Sequence, residues 1–136
     1  MRKQFYLSKQ FMKDVGIVEV LLDDTIPYVL RIKRKNKISE IHARPKVREH
    51  KYGKTMTYYY FSFSHAGKYY QIPVADVSYL LANDIEAIPA GYEVDHINNR
   101  STDNRSCNLQ LLSHADNIKK RGKGRNQYDF IKRIIV

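Results

Sequence analysis

The chain has 136 residues, with 24 Lys and Arg against 14 Asp and Glu, and a formal net charge of +10 at neutral pH. Its length and its hydrophobic fraction of 43% predict one domain with a modest core. The positive charge favours polyanionic partners and works against self-association. Its one cysteine, Cys107, excludes an internal disulfide and a zinc site built from two or more cysteines of this chain.

The composition predicts an intracellular protein without a membrane segment. One cysteine is typical of a reducing compartment. The first residues contain no apolar run long enough for a signal peptide, and no stretch approaches about 18 consecutive apolar residues. We therefore expect a cytoplasmic protein.

Charge is distributed unevenly along the chain. Residues 1–50 carry 12 basic and 6 acidic residues, residues 51–116 carry 5 and 7, and residues 117–136 carry 7 and 1. Two basic ends therefore flank a mildly acidic middle. A protein that only binds nucleic acid needs no carboxylates there, whereas a metal-dependent enzyme acting on phosphates does need them.

The first part of the chain predicts β structure. Residues 17–33 contain two apolar runs on either side of Asp23-Asp24-Thr25, an arrangement typical of a hairpin. Pro27 weakens the second run as a central strand, because proline cannot donate to the ladder. We expect residues 1–50 to form a basic, β-rich segment that contacts DNA or packs onto the rest of the chain.

Two stretches of this segment are strongly basic, RIKRKNK at 31–37 and ARPKVREHKYGK at 43–54. They are either solvated loops or contacts to nucleic acid, and the charge pattern alone leaves both open.

The middle of the chain predicts a hairpin followed by a helix. Residues 55–63 are β-branched and aromatic, residues 65–68 are a turn, and residues 69–74 are a returning strand. Apolar residues then recur at helical spacing within 73–84. Two tyrosine clusters are interpreted as strand core rather than base-stacking platforms: Tyr58–Tyr60 and Tyr69–Tyr70.

Residues 92–121 predict a strand, a loop, a second strand and a helix. The strands are 92–97 and 107–112, the second of which alternatively turns into the helix, and the polar residues 98–106 form the loop. Ser113, with Asp116 three residues later, is a shortened capping box that starts the helix. Gly122 is a stop signal.

Four polar residues of this unit have a suggestive spacing. Asp95 and His96 are adjacent, Asn108 follows 12 residues after His96, and Asn117 follows 9 residues later. Neighbours on a strand point to opposite faces, so Asp95 and His96 can serve one site only at a strand end or bulge. A hairpin brings Asn108 to them, and a helix packed across the hairpin can bring Asn117 against Asp95.

The residue types predict a chemistry. A carboxylate on Asp95 and an amide oxygen on Asn117 are hard ligands that suit Mg²⁺ or Mn²⁺. His96, with an ordinary pKa of about 6.5, is suited to act as a general base on water. Asn108 cannot transfer protons, but it can hold the loop or orient His96.

The stretch resembles the HNH endonucleases, also called ββα-metal or His-Me finger nucleases, and is most similar to their phage and intron-associated homing-type branch. The resemblance covers about residues 51–121. The residues that carry it are Val94-Asp95-His96-Ile97-Asn98, Asn104-Arg105, Asn108-Leu109 and Asn117.

The resemblance implies an α+β fold with a small ββα-metal nuclease core, preceded by a β-hairpin, a helix and the basic N-terminal extension. The expected domains are the basic segment 1–50 and a nuclease domain at 51–136, whose ββα motif is at about 92–121. It implies metal ligands at Asp95 and Asn117, a general base at His96, a catalytic role for Asn108 and a structural one for Asn104. Asn117 stands where many relatives have a histidine. The paired cysteines of some relatives are missing, so no structural zinc is expected.

The implied function is metal-dependent hydrolysis of DNA, leaving 5′-phosphate and 3′-hydroxyl ends, within a bacterium or a phage-infected host. One divalent ion is expected, Mg²⁺ or Mn²⁺ in preference to Zn²⁺ or Ni²⁺. The expected partner is double-stranded DNA, with no membrane and no small-molecule cofactor. A monomer would nick one strand, and a homodimer could cut both. The expected DNA contacts are Arg100, Arg105, Lys119, Lys120, Arg121, Lys123 and Arg125.

Two other functions remain open. The first is a non-catalytic nucleic-acid-binding protein derived from such a nuclease; the positive charge supports it equally, and the complete set of Asp95, His96, Asn108 and Asn117 argues against it. The second is an assembly protein of a phage-like element that associates through its tyrosine-rich strands. The net charge of +10 argues against this unless the partner is acidic.

Overall fold

The computed structural model describes residues 5–22, 28–49 and 55–122. The expected turn at Asp23–Thr25, Pro27, and the expected DNA contacts Lys123 and Arg125 lie outside these ranges. Within them the protein is a mixed α and β structure. Its elements are α1 (Lys9–Val15), β1 (Ile17–Leu21), β2 (Val29–Arg34), β3 (Lys37–His42), β4 (Arg44–Glu49), β5 (Thr55–His65), β6 (Lys68–Pro73), α2 (Val74–Ala82), β7 (Tyr92–His96), β8 (Leu109–Ser113) and α3 (His114–Gly122).

The strands form three antiparallel sheets, ordered β1-β2-β3, β4-β5-β6 and β7-β8. The hairpin predicted within residues 17–33 is confirmed, because β1 pairs with β2. The expectation that Pro27 weakens β2 as a central strand is wrong. β2 lies between β1 and β3, and it begins at Val29, beyond the proline.

Much of the two basic stretches is strand rather than loop. Residues 31–34 belong to the central strand β2, Lys37 begins β3, and residues 44–49 form β4 at an edge of its sheet. β-branched residues such as Ile38 and Val47 alternate with polar ones, and this alternation suits a strand with a solvated face. Charge alone therefore gave a poor prediction of secondary structure here.

The hairpin and helix predicted in the middle of the chain are confirmed as β5, β6 and α2. Ala66 and Gly67, with φ of 51° and 77°, form the left-handed turn that joins the strands. The prediction that both tyrosine clusters are strand core is half right. Tyr59 and Tyr70 pack against the core, whereas alternation along the strand places Tyr58 and Tyr60 on the opposite face from Tyr59.

The apolar core combines residues from both sides of position 50. It lies between the first two sheets and the helices α1 and α2, and burial of its side chains is the main favourable contribution to folding. The proposed division of the chain at residue 50 stays a prediction. The members of the core are Leu7, Met12, Val15, Tyr28, Leu30, Ile32, Ala43, Phe61, Phe63, Ile72, Val74, Val77, Leu80 and Ile88.

The strand–strand–helix order predicted for residues 92–121 is confirmed. β7 pairs with β8, opposing Asp95 to Gln110 and His96 to Leu109. β8 starts at Leu109, because residues 106–108 form a 3₁₀ turn. The predicted cap is also present, since the Ser113 hydroxyl accepts a 3.1 Å hydrogen bond from the Asp116 amide. No helix in the described ranges is long and apolar enough to cross a membrane.

Candidate active site

Buried polar side chains of the described residues gather in one part of the molecule, which we call the polar interior. Five of the six belong to residues 101–120. The sixth, Ser78 on α2, donates a 2.7 Å hydrogen bond to the Asn104 carbonyl and so joins the same group. Buried polar groups are costly unless they are paired, so this concentration reflects a specific arrangement. The six are Ser78, Ser101, Asn104, Asn108, Asn117 and Lys120.

Asp95 and His96 face opposite sides of the β7-β8 hairpin, as alternation along a strand requires. The Asp95 carboxylate accepts hydrogen bonds from Gln110 on β8 and from Lys120 on α3. The His96 ring instead contacts Asn104 in the loop between the strands. His96 is the last residue of β7, so the pair does lie at a strand end.

Asn104 sets the state of the His96 ring. The His96 Nε2 atom lies 2.8 Å from the Asn104 side-chain oxygen, which can only accept. In this orientation of the Asn104 amide, Nε2 carries the hydrogen and Nδ1 keeps a lone pair. Burial lowers the pKa of His96 below its ordinary value, although the bond to Asn104 acts in the other direction. A neutral imidazole with a free Nδ1 lone pair is the form that accepts a proton.

Asn108 braces the loop. Its amide nitrogen donates to the Asn98 side chain and to the Asp103 carbonyl, each at 2.9 Å, and its oxygen accepts from the Asn98 amide at 3.0 Å. The sequence left two roles open for Asn108, to hold the loop or to orient His96. These bonds correspond to holding the loop. The contact to His96 comes from Asn104, and sequence reasoning, which gave Asn104 a structural role, did not predict this contact. Asn104 follows His96 by eight residues in a loop that returns to the strand end.

Lys120 lies at the centre of the α3 contact with β7. Its ammonium group donates to Asp95 Oδ2 at 2.5 Å and to the His96 carbonyl at 2.9 Å, and the residue is only 1% exposed. The prediction that Lys120 contacts DNA stays a prediction, and in this structure the ammonium group is turned toward Asp95 instead. Lys120 follows Asn117 by three residues, and this helical spacing places both side chains on the face that packs against β7.

Asn117 contacts Glu93 rather than Asp95. Its amide nitrogen donates to one carboxylate oxygen of Glu93, and the other oxygen lies 2.8 Å from His114 Nδ1. The described hydrogen bonds include none between Asn117 and Asp95. Sequence reasoning missed Glu93, although its position two residues before Asp95 places it on the same face of β7.

A further carboxylate approaches this face from α2. Burial raises the pKa of Asp76 to about 7, and the nearby negative charge of Glu93 adds to the effect. The sequence assigned Asp76 no function. Acidic side chains from β7 and α2 thus meet next to α3, partly balanced by the ammonium group of Lys120.

The donor set beside α3 suits a hard divalent cation. Both donors to Asp95 use Oδ2, so Oδ1 remains for a metal, and Asn117 uses its nitrogen, so its oxygen remains as well. Within the described residues no three His, Cys, Asp or Glu side chains form a metal site. A cation here would therefore depend on one carboxylate, one amide oxygen, and waters or phosphate oxygens.

The expected DNA contacts other than Lys120 differ in their surroundings. Arg100 and Lys119 are exposed. Arg105 is exposed too, but it binds Asp103 at 2.8 Å, and this contact lowers the pKa of Asp103 to about 2. Arg121 belongs to the last turn of the α3 backbone, which ends at Gly122.

Comparison with known proteins gives one match. Residues 86–119 fit the family model described as HNH endonuclease. The matched segment contains Glu93, Asp95, His96, Asn104 and Asn117. No curated protein and no solved structure matches the chain. The match supports an HNH endonuclease relationship for the segment that carries the candidate site.

Proposed function

We propose that the protein is a metal-dependent endonuclease that hydrolyses DNA. One observation carries the proposal. A half-buried histidine, kept neutral by burial and oriented by Asn104, stands at the end of β7, next to a carboxylate on the opposite face, inside the segment that fits the HNH endonuclease model. Hydrolysis of a phosphodiester needs both functions, a proton acceptor and a group that stabilises phosphate charge.

His96 is the proposed general base. Its Nδ1 lone pair accepts a proton from the attacking water as the new phosphorus–oxygen bond forms. The bond from phosphorus to the 3′ oxygen then breaks, and that oxygen takes a proton from solvent water, which leaves a 5′-phosphate and a 3′-hydroxyl. Asn104 keeps the ring in the required tautomer, and Asn108 keeps the loop that carries Asn104 in place.

Asp95 and Asn117 are the proposed ligands of one Mg²⁺ or Mn²⁺ ion. When bound, the ion would stabilise negative charge on the scissile phosphate and on the leaving oxygen. Glu93 fixes the Asn117 amide by accepting from its nitrogen, so that the amide oxygen is the atom left for the ion. Lys120 holds Asp95 against α3 and partly neutralises the acidic face before any phosphate arrives.

The proposed substrate is double-stranded DNA. The net charge of +10 favours a polyanion, and Arg100 and Lys119 are exposed cations near the candidate site. A homing-type endonuclease that nicks as a monomer, or cuts both strands as a homodimer, is the form we propose.

A plasmid cleavage assay tests the proposal. The protein with Mg²⁺ or Mn²⁺ should convert supercoiled plasmid to nicked or linear product, and EDTA should stop the reaction. His96→Ala should slow cleavage by about 10²- to 10⁴-fold with little change in DNA affinity. His42→Ala is the matched control, because His42 is exposed on β3 and should leave the rate unchanged. Absence of cleavage across several metals and DNAs would refute the proposal.

The ion pair between Asp95 and Lys120 favours a second candidate, a non-catalytic nucleic-acid-binding protein. An ammonium group at 2.5 Å already compensates the Asp95 charge without a metal. Titration with Mn²⁺ separates the two candidates. The enzyme should bind the ion more weakly after Asp95→Asn, whereas a protein that only binds nucleic acid should show the same weak affinity in both forms.

A further inference from the structure

Two sheets of the molecule carry basic strands, and they differ in whether the cations along a strand form ion pairs with acids of neighbouring strands. In the β1-β2-β3 sheet, the Arg31 guanidinium lies 2.8 Å from Glu19 on β1 and 3.4 Å from Glu40 on β3. The central cation of that sheet therefore has an acid on each neighbouring strand. Such pairs stabilise the sheet modestly and leave little of the Arg31 charge for a partner.

β4 differs in this respect. Arg44, Lys46 and Arg48 are spaced two residues apart, so they point to the same face of the β4-β5-β6 sheet. All three are exposed, and none forms an ion pair with a residue in the described ranges. Their neighbours across the strand pair are uncharged: Tyr60, Tyr58 and Met56.

This face of the sheet is the one turned away from the apolar core. Phe61 and Phe63 of β5 point inward and are buried, so Tyr58 and Tyr60 share the outer side with the three cations. Tyr69 on β6 is 65% exposed. The Arg48 guanidinium lies 5.7 Å from the centre of the Tyr58 ring, an arrangement that holds the cation over the sheet. We call Arg44, Lys46, Arg48, Tyr58 and Tyr60 the outer basic face.

We propose that the outer basic face binds the sugar–phosphate backbone of the DNA substrate, beyond the segment in contact with the candidate site. This inference rests on the proposed function. Three uncompensated cations complement a phosphate chain, and tyrosine hydroxyls are common donors to phosphate. Cations two residues apart on a strand are separated by about 6.8 Å, so the three form a row of positive charge about 14 Å long that can lie along the phosphates of one DNA strand.

The outer basic face is coupled to the candidate site through β5. The Ser101 hydroxyl, in the loop that follows β7, donates to the carbonyl of Thr57. Thr57 lies between Met56 and Tyr58, and Met56 pairs with Arg48. The Arg48 end of the face is therefore attached to the loop that carries Asn104, so one DNA molecule could reach both.

A simpler explanation is that charges on an edge strand prevent pairing with a second copy of the chain. That explanation makes a different prediction. Removal of the charges would then cause self-association and leave DNA affinity unchanged. The two explanations can therefore be tested with the same variant.

The test compares two triple variants that each lose three positive charges. Arg44→Gln/Lys46→Gln/Arg48→Gln removes the cations of the outer basic face. Lys13→Gln/Lys35→Gln/Lys37→Gln removes exposed cations of α1, of the β2–β3 turn and of β3. Affinity for duplex DNA is measured by fluorescence anisotropy in EDTA over a range of salt concentrations, with sedimentation velocity to follow self-association.

The first variant should bind more weakly and lose about 3 from the slope of log K against log salt, about 1 for each phosphate contact. The control should keep most of the wild-type slope. An unchanged slope in the first variant, an equal loss in the control, or self-association with unchanged DNA affinity would each overturn the inference. If the wild-type protein binds DNA but cleaves none, the proposed function fails, while the difference between the variants still decides the role of the face.

Discussion

The side chains buried beneath the first two sheets differ in kind from those buried behind the loop that follows β7. In the apolar core, Phe61 and Leu80 are fully buried hydrocarbons whose packing has no preferred partner atom. In the polar interior, Asn104 and Lys120 are equally buried, and each is held by hydrogen bonds to particular atoms, although the Asn104 side-chain nitrogen has no partner among the described residues. Loss of a partner there leaves an unsatisfied polar group, so the polar interior depends on geometry as well as on burial.

Helix α2 belongs to both regions. Val77 and Leu80 pack in the apolar core, while Ser78 donates to Asn104. The core therefore positions one side of the polar interior. The apolar core thus supplies the folding free energy that offsets the cost of burying the polar groups of the polar interior.

The largest effect is expected in the apolar core. Phe61→Ala should lower the free energy of unfolding by about 3–5 kcal/mol, because it removes a fully buried ring and leaves a cavity. Val47→Ala is the control, since Val47 is 64% exposed and should change stability by less than about 0.5 kcal/mol. Denaturant unfolding measures both. Similar losses at the two positions would contradict the assignment of the core.

Two adjacent lysines test the polar interior. Lys120→Met should cost about 3 kcal/mol of unfolding free energy, because the buried Asp95 carboxylate loses its cation. Lys119→Met should leave stability almost unchanged, since Lys119 is exposed, and should weaken DNA binding instead. Denaturant unfolding and DNA anisotropy on both variants are the measurements. A Lys120 variant as stable as the wild type would show that the ion pair does not hold α3 against β7.

The start of α3 should contribute less. Ser113→Ala removes the hydroxyl that accepts from the Asp116 amide and should cost about 1 kcal/mol of unfolding free energy. Ser113→Asp should retain most of the stability, because aspartate is an equally good cap. If the alanine and aspartate variants lose the same amount in thermal unfolding, the cap is not what stabilises the helix.

The smallest effect should depend on pH. The folded pKa of Asp103, about 2, is below its ordinary value of 3.8, so the contact with Arg105 stabilises the folded state above about pH 4. This contribution should be lost as the pH falls through 2. The difference in unfolding free energy between wild type and Asp103→Asn should therefore shrink over that window. A difference that stays constant with pH, or that Arg105→Gln does not reproduce, would rule out the ion pair as its source.

Local patterns predicted much of the architecture around the site. The turn at residues 65–68, the helical spacing within 73–84 and the cap at Ser113 each depend on residues close together in sequence, and all three are present. The strands within the basic stretches 31–37 and 43–54 were harder to predict from composition, because basic residues are equally typical of loops. Their strand pairing depends on partners that are distant along the chain.

The sequence by itself determined which chemical groups are available. Asp95, His96, Asn108 and Asn117 were visible as a set, because their types and spacing are local properties of the chain. Only the tertiary structure decided which groups meet. Asn104 rather than Asn108 contacts His96, Glu93 rather than Asp95 contacts Asn117, and Lys120 contacts Asp95. The reason is physical: a side chain's partner depends on which faces of strand, loop and helix pack together, and that packing is set by the whole core.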